Sequence, residues 1–429
     1  MNSSEIFVAL DIGTTKVCTL IAQKINNNLE IIGVGSHPSY GLKKGSVINI
    51  DKTVRSIHAS IEEAKMMAGL DRIEKVTIGI AGNHIYCFNS AGVVPIKGKE
   101  ISQKDVDNVI EAAKAVLIPS ERETLHIIPQ DFKVDNTTGI KNPLGMCGTR
   151  LEAHVHVVTG KIPLIKNLIK CVEQLNIAVD NVILQPIASS RSVLSEEEKE
   201  MGVMLLDIGG GTTDVAVWKD GSIIHSQIIP IGGNHFTNDL SVGFKISPAE
   251  AERLKINHGQ VISDRVDPHA HILIQGLPGT KSREVSLKII SEILEARSEE
   301  LFGLIKDIIT ENGFEGLLSG GIVLTGGGAL IKDMNILCEF LLDRPSKIGY
   351  PIPFGSMTSI MQNPKFSTVL GLLLEAIDSK NRDHRSQGFN ITNEKANPKN
   401  SANKSEEKVH QDIFLKVTES FKNVFKEIF

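Results

Sequence analysis

Residues 203–218 read Val203-Met204-Leu205-Leu206-Asp207-Ile208-Gly209-Gly210-Gly211-Thr212-Thr213-Asp214-Val215-Ala216-Val217-Trp218, an apolar strand, a glycine turn and a second apolar strand. The same grammar stands near the start of the chain, where Phe7, Val8 and Leu10 lead through Asp11 into Gly13-Thr14-Thr15 and out along residues 17–21. Asp11 and Asp207 lie 196 positions apart (207 minus 11). A module repeated at that distance predicts two similar α/β halves facing one another, because solenoid repeats have periods of roughly 20–50 residues. Either hairpin alone also reads as an ordinary Asp-Gly turn. The pair carries the inference.

Composition bounds this reading. At 429 residues the chain is too long for one core, and about 100–200 residues per domain predicts two to four units. Hydrophobic residues at 41% and charged residues at 23% give the balance of a globular protein. A net charge of −5 and a pI near 6.2 offer no attraction to a polyphosphate backbone, so no nucleic acid is expected as a main partner. Cys18, Cys87, Cys147, Cys171 and Cys338 show neither CxxC nor Cys/His metal spacing and fit a reducing cytosol. No basic leader precedes the first strand and no apolar run reaches 18 residues, so the chain is expected neither to enter nor to cross a bilayer.

Bound ATP presents several negative charges, which call for close-set backbone N–H groups, a cation and carboxylates that position a divalent metal. Gly13, Gly209, Gly210 and Gly211 let the turns approach phosphate, while Thr14, Thr15, Thr212 and Thr213 offer hydroxyl donors and Lys16 a positive charge. Asp11 and Asp207 end apolar strands where the chain first turns outward, a position suited to holding Mg2+ through its water shell. A third cluster, Gly326-Gly327-Gly328, follows the run at 322–325 and precedes an expected helix over 330–342; a nucleotide base could lie against it, or it could be a helix-entry turn. An S-x-x-D signal at Ser102 and Asp105 predicts a helix over 106–117.

With these segments in order, DIGTTK, LLDIGGGTTDVAVW and IVLTGGGALIKDM resemble the two phosphate motifs and the adenosine motif of the actin, Hsp70 and sugar-kinase superfamily. Within it the chain resembles the FtsA family of bacterial cell-division proteins, including VHVVTG, IPIGGNHFTNDLSVGF and AEAERLKINHG. The resemblance implies an α/β, actin-like bilobed fold of two ribonuclease-H-like halves with an inserted α+β subdomain. Its expected divisions are 1–83 with 161–200 for the first half, 84–160 for the insert, 201–249 with 312–377 for the second half, and 250–311 for a small lobe. It also implies that Gly232, Gly233 and Asn234 border the nucleotide, that Glu252 and Lys255 reach the ribose and adenine side, and that Gln185 is the candidate for a catalytic role. A neutral amide orients water but is a poor base, so slow turnover at most is expected. Arg297 matches a position in the family pattern; its local reading is a surface salt bridge with a neighbouring glutamate.

Residues 378–408 are almost free of apolar side chains and are expected to be a disordered linker. Beyond it, in 409–429, Phe414, Val417, Phe421, Val424, Phe425 and Ile428 recur at helical spacing along one stripe. A core or partner-binding helix shows the same stripe, but its place after a polar linker favours a membrane-targeting helix. Each such side chain is worth at most about 1.5–3 kcal/mol on full burial, so one tail should bind lipid reversibly and many tails on a polymer firmly. By the resemblance, the protein is a peripheral protein on the cytoplasmic side of the inner membrane at the division septum. There it would anchor FtsZ through the FtsZ C-terminal tail at 250–311, form actin-like filaments and help recruit later division proteins. A sugar or metabolite kinase and a pilus-assembly ATPase of the same superfamily are the alternatives.

Overall fold

The structure, a computed structural model, describes residues 5–25, 28–98, 100–277, 279, 281–353, 355 and 359–382. Strand Glu5–Ile12 is buried from Phe7 onward and pairs antiparallel with Lys16–Ile25, which pairs with Asn28–Pro38. On its other side it runs parallel to Lys75–Ile80, and that strand to Ala178–Leu184. The second half repeats this order. Val203–Ile208 lies between antiparallel Thr213–Lys219, backed by Ser222–Ile229, and parallel Ile322–Thr325, backed by Ser346–Ile348. Strands buried on both faces read as continuous apolar runs, which is why both hairpins stand out in the sequence.

Helix Ile50–Ala68 covers one face of the first sheet, with Asn49 Oδ1 accepting from the Lys52 N–H at 2.9 Å as its N-cap and Gly69 (φ 65°) as its left-handed stop. The opposite face is covered by helices Gln185–Val193 and Ser367–Arg382, whose apolar side chains pack against Phe7, Ala9, Cys18 and Leu20. These two helices cross with their backbones in contact. A methyl carbon at Gly371 would fall well inside van der Waals range of the Ala188 carbonyl oxygen, so glycine is required at the crossing.

The insert is a four-stranded antiparallel sheet ordered Ile85–Pro95, Arg150–Lys161, Arg122–Val134, Thr137–Ile140, with helix Gln103–Lys114 against it. Asp105 accepts from the Ser102 backbone N–H at 3.0 Å, as the capping signal predicts. The helix ends at Lys114 rather than 117: Leu117 is 97% exposed with nothing to pack against, and Pro119 disfavours helical backbone just before it. The small lobe holds helices Pro248–His258 and Leu287–Glu311 and the hairpin His271–Ile274 with Arg283–Ser286. Its core is continuous with that of the second half. Arg297 meets the expected glutamate, Glu300, and also makes a bidentate pair with Asp239 at 2.6 and 2.9 Å.

Two further expectations change. The helix placed at 330–342 is a 3-10 turn, Gly327–Leu330, followed by Met334–Leu342. Asp333 (φ 66°) breaks it because its carboxylate accepts from Gln260 Nε2 at 2.6 Å while Lys332 pairs with Gln260, so tertiary contacts override local propensity. Helix Ser367–Arg382 runs past 377 into the expected linker, held by Arg191 to Asp378 at 2.8 Å, Asn181 to Ser379 at 3.2 Å and the Lys380–Glu5 ion pair. The rest of the linker and the C-terminal stripe lie outside the described residues. Among the described residues no helix is long and apolar enough to cross a membrane.

Candidate functional site

The hairpin tips meet. Added side-chain carbon at Gly210 would clash with Thr15, and at Gly211 with Thr14, so these glycines admit the opposing threonines as well as any ligand. Each turn is closed internally, by Gly13 N–H to the Lys16 carbonyl and Gly209 N–H to the Thr212 carbonyl, both at 2.9 Å. Behind the tips lies a cavity of about 1290 Å³ between the halves. It is lined by Asp11, Gly13, Thr14, Thr15, Lys16 and Gln185 from the first half, and by Asp207, Gly209, Gly210, Gly211, Thr212, Gly233, Asn234, Gly326, Gly327 and Gly328 from the second. Glu252 and Lys255 of the small lobe close it.

Two residues expected at the site are not on its wall. Thr213 is fully buried beneath the hairpin, where its hydroxyl donates to the Ile231 carbonyl at 2.8 Å. Alternation along the strand turns Thr212 and Asp214 to the cavity and Thr213 away from it. Gly232 lies under the second hairpin, where a side chain would collide with the Gly209 carbonyl and Thr212, and so it shapes the turn from behind. Helix Gly233–Phe244 docks its first amides on that hairpin, Gly233 to the Gly209 carbonyl at 2.8 Å and Asn234 to the Gly210 carbonyl at 2.7 Å.

The floor of the cavity is acidic. Asp11 accepts from Gln185 Nε2 at 2.9 Å, and Asp207 from the Thr368 hydroxyl at 3.0 Å. Burial pushes the Asp11 carboxyl up to about 6; Lys16 opposes the rise and the charge of Asp207 adds to it. Asp207 is also raised by burial, against hydrogen bonds from Thr368 and Ser189. Asp214 is raised well above the carboxylate range, by burial and then by the neighbouring Asp207, against a hydrogen bond with Thr212, and its Oδ1 has no hydrogen-bond partner. An orphaned buried carboxylate oxygen beside two more carboxylates is costly without a cation. Among the described residues no three His, Cys, Asp or Glu side chains converge closely enough to chelate a bare ion.

The cations sit on the walls. Lys16 Nζ donates to the Lys365 carbonyl at 2.5 Å and lies 4.8 Å from the Phe366 ring centroid. Lys255 is buried and donates to the Gly233 carbonyl at 3.0 Å, Thr237 at 2.8 Å and Glu252 at 2.7 Å; burial lowers its pKa, and Glu252 partly restores it. Asp214, Thr368, Ser189, Lys365 and Phe366 went unassigned in the sequence reading. Asp214 closes the quoted motif and shares the face of Thr212, a signal that strand alternation supplies; Ser189 comes from helix Gln185–Val193, and Lys365, Phe366 and Thr368 from the start of helix Ser367–Arg382 and the turn before it, two segments whose register only the fold reveals.

Two sheets of one strand order, joined by crossing helices around a shared cavity, define the actin-like class of fold. The PilM-PilN type IV pilus biogenesis complex has this fold, with a TM-score of 0.64 at 16% identity over 86% of this chain and 98% of that one. Residues 204–371 match the family model described as cell division protein FtsA, and residues 82–159 that of the SHS2 domain inserted in FTSA. The cell division protein FtsA of Pseudomonas aeruginosa is 41% identical over 381 residues, covering 89% of this chain and 91% of that one. That of Borreliella burgdorferi is 40% identical over 395 residues (90% and 93%), and that of Escherichia coli K12 is 37% identical over 377 (86% and 90%). The chain belongs to the FtsA family of cell division proteins. Of the three readings the sequence left open, this membership favours cell division over the kinase and pilus-assembly alternatives.

Proposed function

We propose that this protein binds ATP with Mg2+ between its halves and anchors FtsZ to the cytoplasmic face of the inner membrane, assembling into actin-like filaments that help recruit later division proteins. The observation that carries the nucleotide reading is the placement of Asp11, Asp207 and Asp214, whose Oδ1 has no hydrogen-bond partner, on one cavity floor between two glycine hairpins. These carboxylates fit a hydrated magnesium ion, which would neutralise phosphate charge there. Gly13 to Lys16 and Gly209 to Thr212 would face the phosphates. Glu252, Lys255 and Gly326 to Gly328 would border the nucleoside. Gln185, held by Asp11, would orient water at most, so slow hydrolysis is expected. The small lobe at 250–311 is the proposed seat of the FtsZ tail, and residues 409–429 the membrane contact.

The test is reconstitution: the full chain should carry FtsZ onto vesicles containing anionic lipid in Mg-ATP. Phe421→Glu should release both proteins from vesicles while leaving ATP binding unchanged, since Phe421 lies 53 positions (421 minus 368) beyond Thr368, the last residue that lines the cavity. Unaltered co-sedimentation of the variant would remove the tail from the proposal, and failure of the parent chain to bind ATP would remove the nucleotide.

A further inference from the structure

The insert is joined to both halves. It grows from the first half between strand Lys75–Ile80 and helix Ile162–Glu173. His126 Nε2 ties it there again, accepting from the Leu184 N–H at 3.0 Å, one residue before the Gln185 that holds Asp11. Against the second half it closes the open edge of the sheet, strand Ser222–Ile229. Asn89 Nδ2 donates to the Ile224 carbonyl and Gln130 Nε2 to the Ile223 carbonyl, both at 2.9 Å. His156, buried, bonds Asn89 Oδ1 at 2.7 Å through Nδ1 and the Ser226 hydroxyl at 2.8 Å through Nε2. Because Asn89 Oδ1 only accepts, Nδ1 carries the proton and Nε2 accepts from Ser226. The Ser222 hydroxyl returns a bond to the Gln130 carbonyl at 2.9 Å.

Both sides of this seam run into the cavity wall. Strand Ser222–Ile229 leads through Ile231 to Gly233, which is bonded to Gly209, while the insert is reached through Gly79 and Ala81, which line the cavity. Any rotation of one half against the other therefore works on the seam. Ile128 of the insert packs on the apolar cluster that holds Ile223, but the hydrogen bonds beside it can exchange with water and reform, as an interdigitated core cannot. We propose that the insert is a strut between the halves, with Asn89, Gln130 and His156 as positioning residues that set how fast the cleft opens. The proposal rests on the nucleotide reading above.

Cys87 of the insert lies near enough to Ser226 for the hydroxyl to lower the thiol pKa that burial raises, so Ser226→Cys brings two thiols close across the seam. In a Cys147→Ser background, which removes the exposed thiol, diamide would join them, taking up the two thiol protons and two electrons. With a fluorescent ATP analogue in stopped flow, oxidation should slow association and release together by about fivefold or more. Reductant should restore both rates, and the Kd should stay within about twofold, since a lock on opening acts on both directions alike. The double variant Asn89→Ala, Gln130→Ala should release the analogue about fivefold faster. Equal rates in oxidised and reduced protein overturn the strut; where thiol titration finds no cross-link, unchanged release by the double variant overturns it equally. A reduced protein that binds no analogue overturns the nucleotide reading instead.

Discussion

Gly371→Val is expected to destabilise the protein by about 3 kcal/mol or more, because added carbon there meets the Ala188 backbone carbonyl rather than a side chain that could turn aside. The two helices would have to separate, and with them the cluster of Val369, Leu370, Leu372 and Leu373 against Phe7, Ala9 and Leu20. Ala188→Gly should not rescue the variant, since the clashing atom remains. Gly303→Ala, in helix Leu287–Glu311 with open space around the position, should instead stabilise by roughly 0.5–1 kcal/mol through helix propensity. Urea midpoints for the three variants and the parent test this, and a Gly371→Val midpoint equal to the parent's would refute the close crossing. The same helix carries Thr368, which bonds Asp207, so opening the crossing should also weaken ATP binding.

Both hairpins and the duplication were legible because they rest on local signals: continuous apolar strands, an Asp at the turn and glycines where the backbone must come close. The capping signal at Ser102 and Asp105 was legible for the same reason. What escaped depends on partners distant in sequence. Helix Met334–Leu342 starts only after Asp333 because Gln260, 73 positions away, holds the Asp333 carboxylate. The helix beginning at Ser367 continues to Arg382 because Arg191, Asn181 and Glu5 hold its last turns, and no local property of residues 378–382 says so. The roles given to glycine also broadened: Gly210 and Gly211 accommodate Thr15 and Thr14, and Gly371 accommodates a helix backbone. Thr213 and Asp214 are different. Their exchange of roles follows from strand alternation alone, and the period of two that set Thr212 toward the cavity could have placed both.

Asp214→Asn is expected to separate stability from binding. In the ligand-free protein Asp214 is a buried carboxylate with one oxygen unpaired, and its pKa is raised by burial and by Asp207. A folded-state pKa above the unfolded value means that the native state holds the proton more tightly. The stabilisation is therefore complete below the unfolded pKa near 3.8 and is lost as pH rises through the raised value. Asp11, raised to about 6, adds a loss of the same sign between about 4 and 6. Burial lowers His84, His126 and His156 to about 4, which adds stability as pH rises over the same range, so the test is the difference between the two proteins: the advantage of Asp214→Asn over the parent should grow as pH rises from 4 toward neutrality. At neutral pH the ligand-free variant should be more stable by roughly 1–3 kcal/mol, the scale of leaving a buried polar group unsatisfied. Mg-ATP should reverse the order. If the carboxylate orders water around the ion, its loss should weaken Mg-ATP binding by about tenfold to a hundredfold, and the rise in melting temperature on adding Mg-ATP should shrink accordingly. A variant less stable than the parent without ligand, yet equally stabilised by Mg-ATP, would make Asp214 a structural residue. A variant steadier when empty and poorer when filled would mark a position kept for its ligand, because folding alone favours the amide.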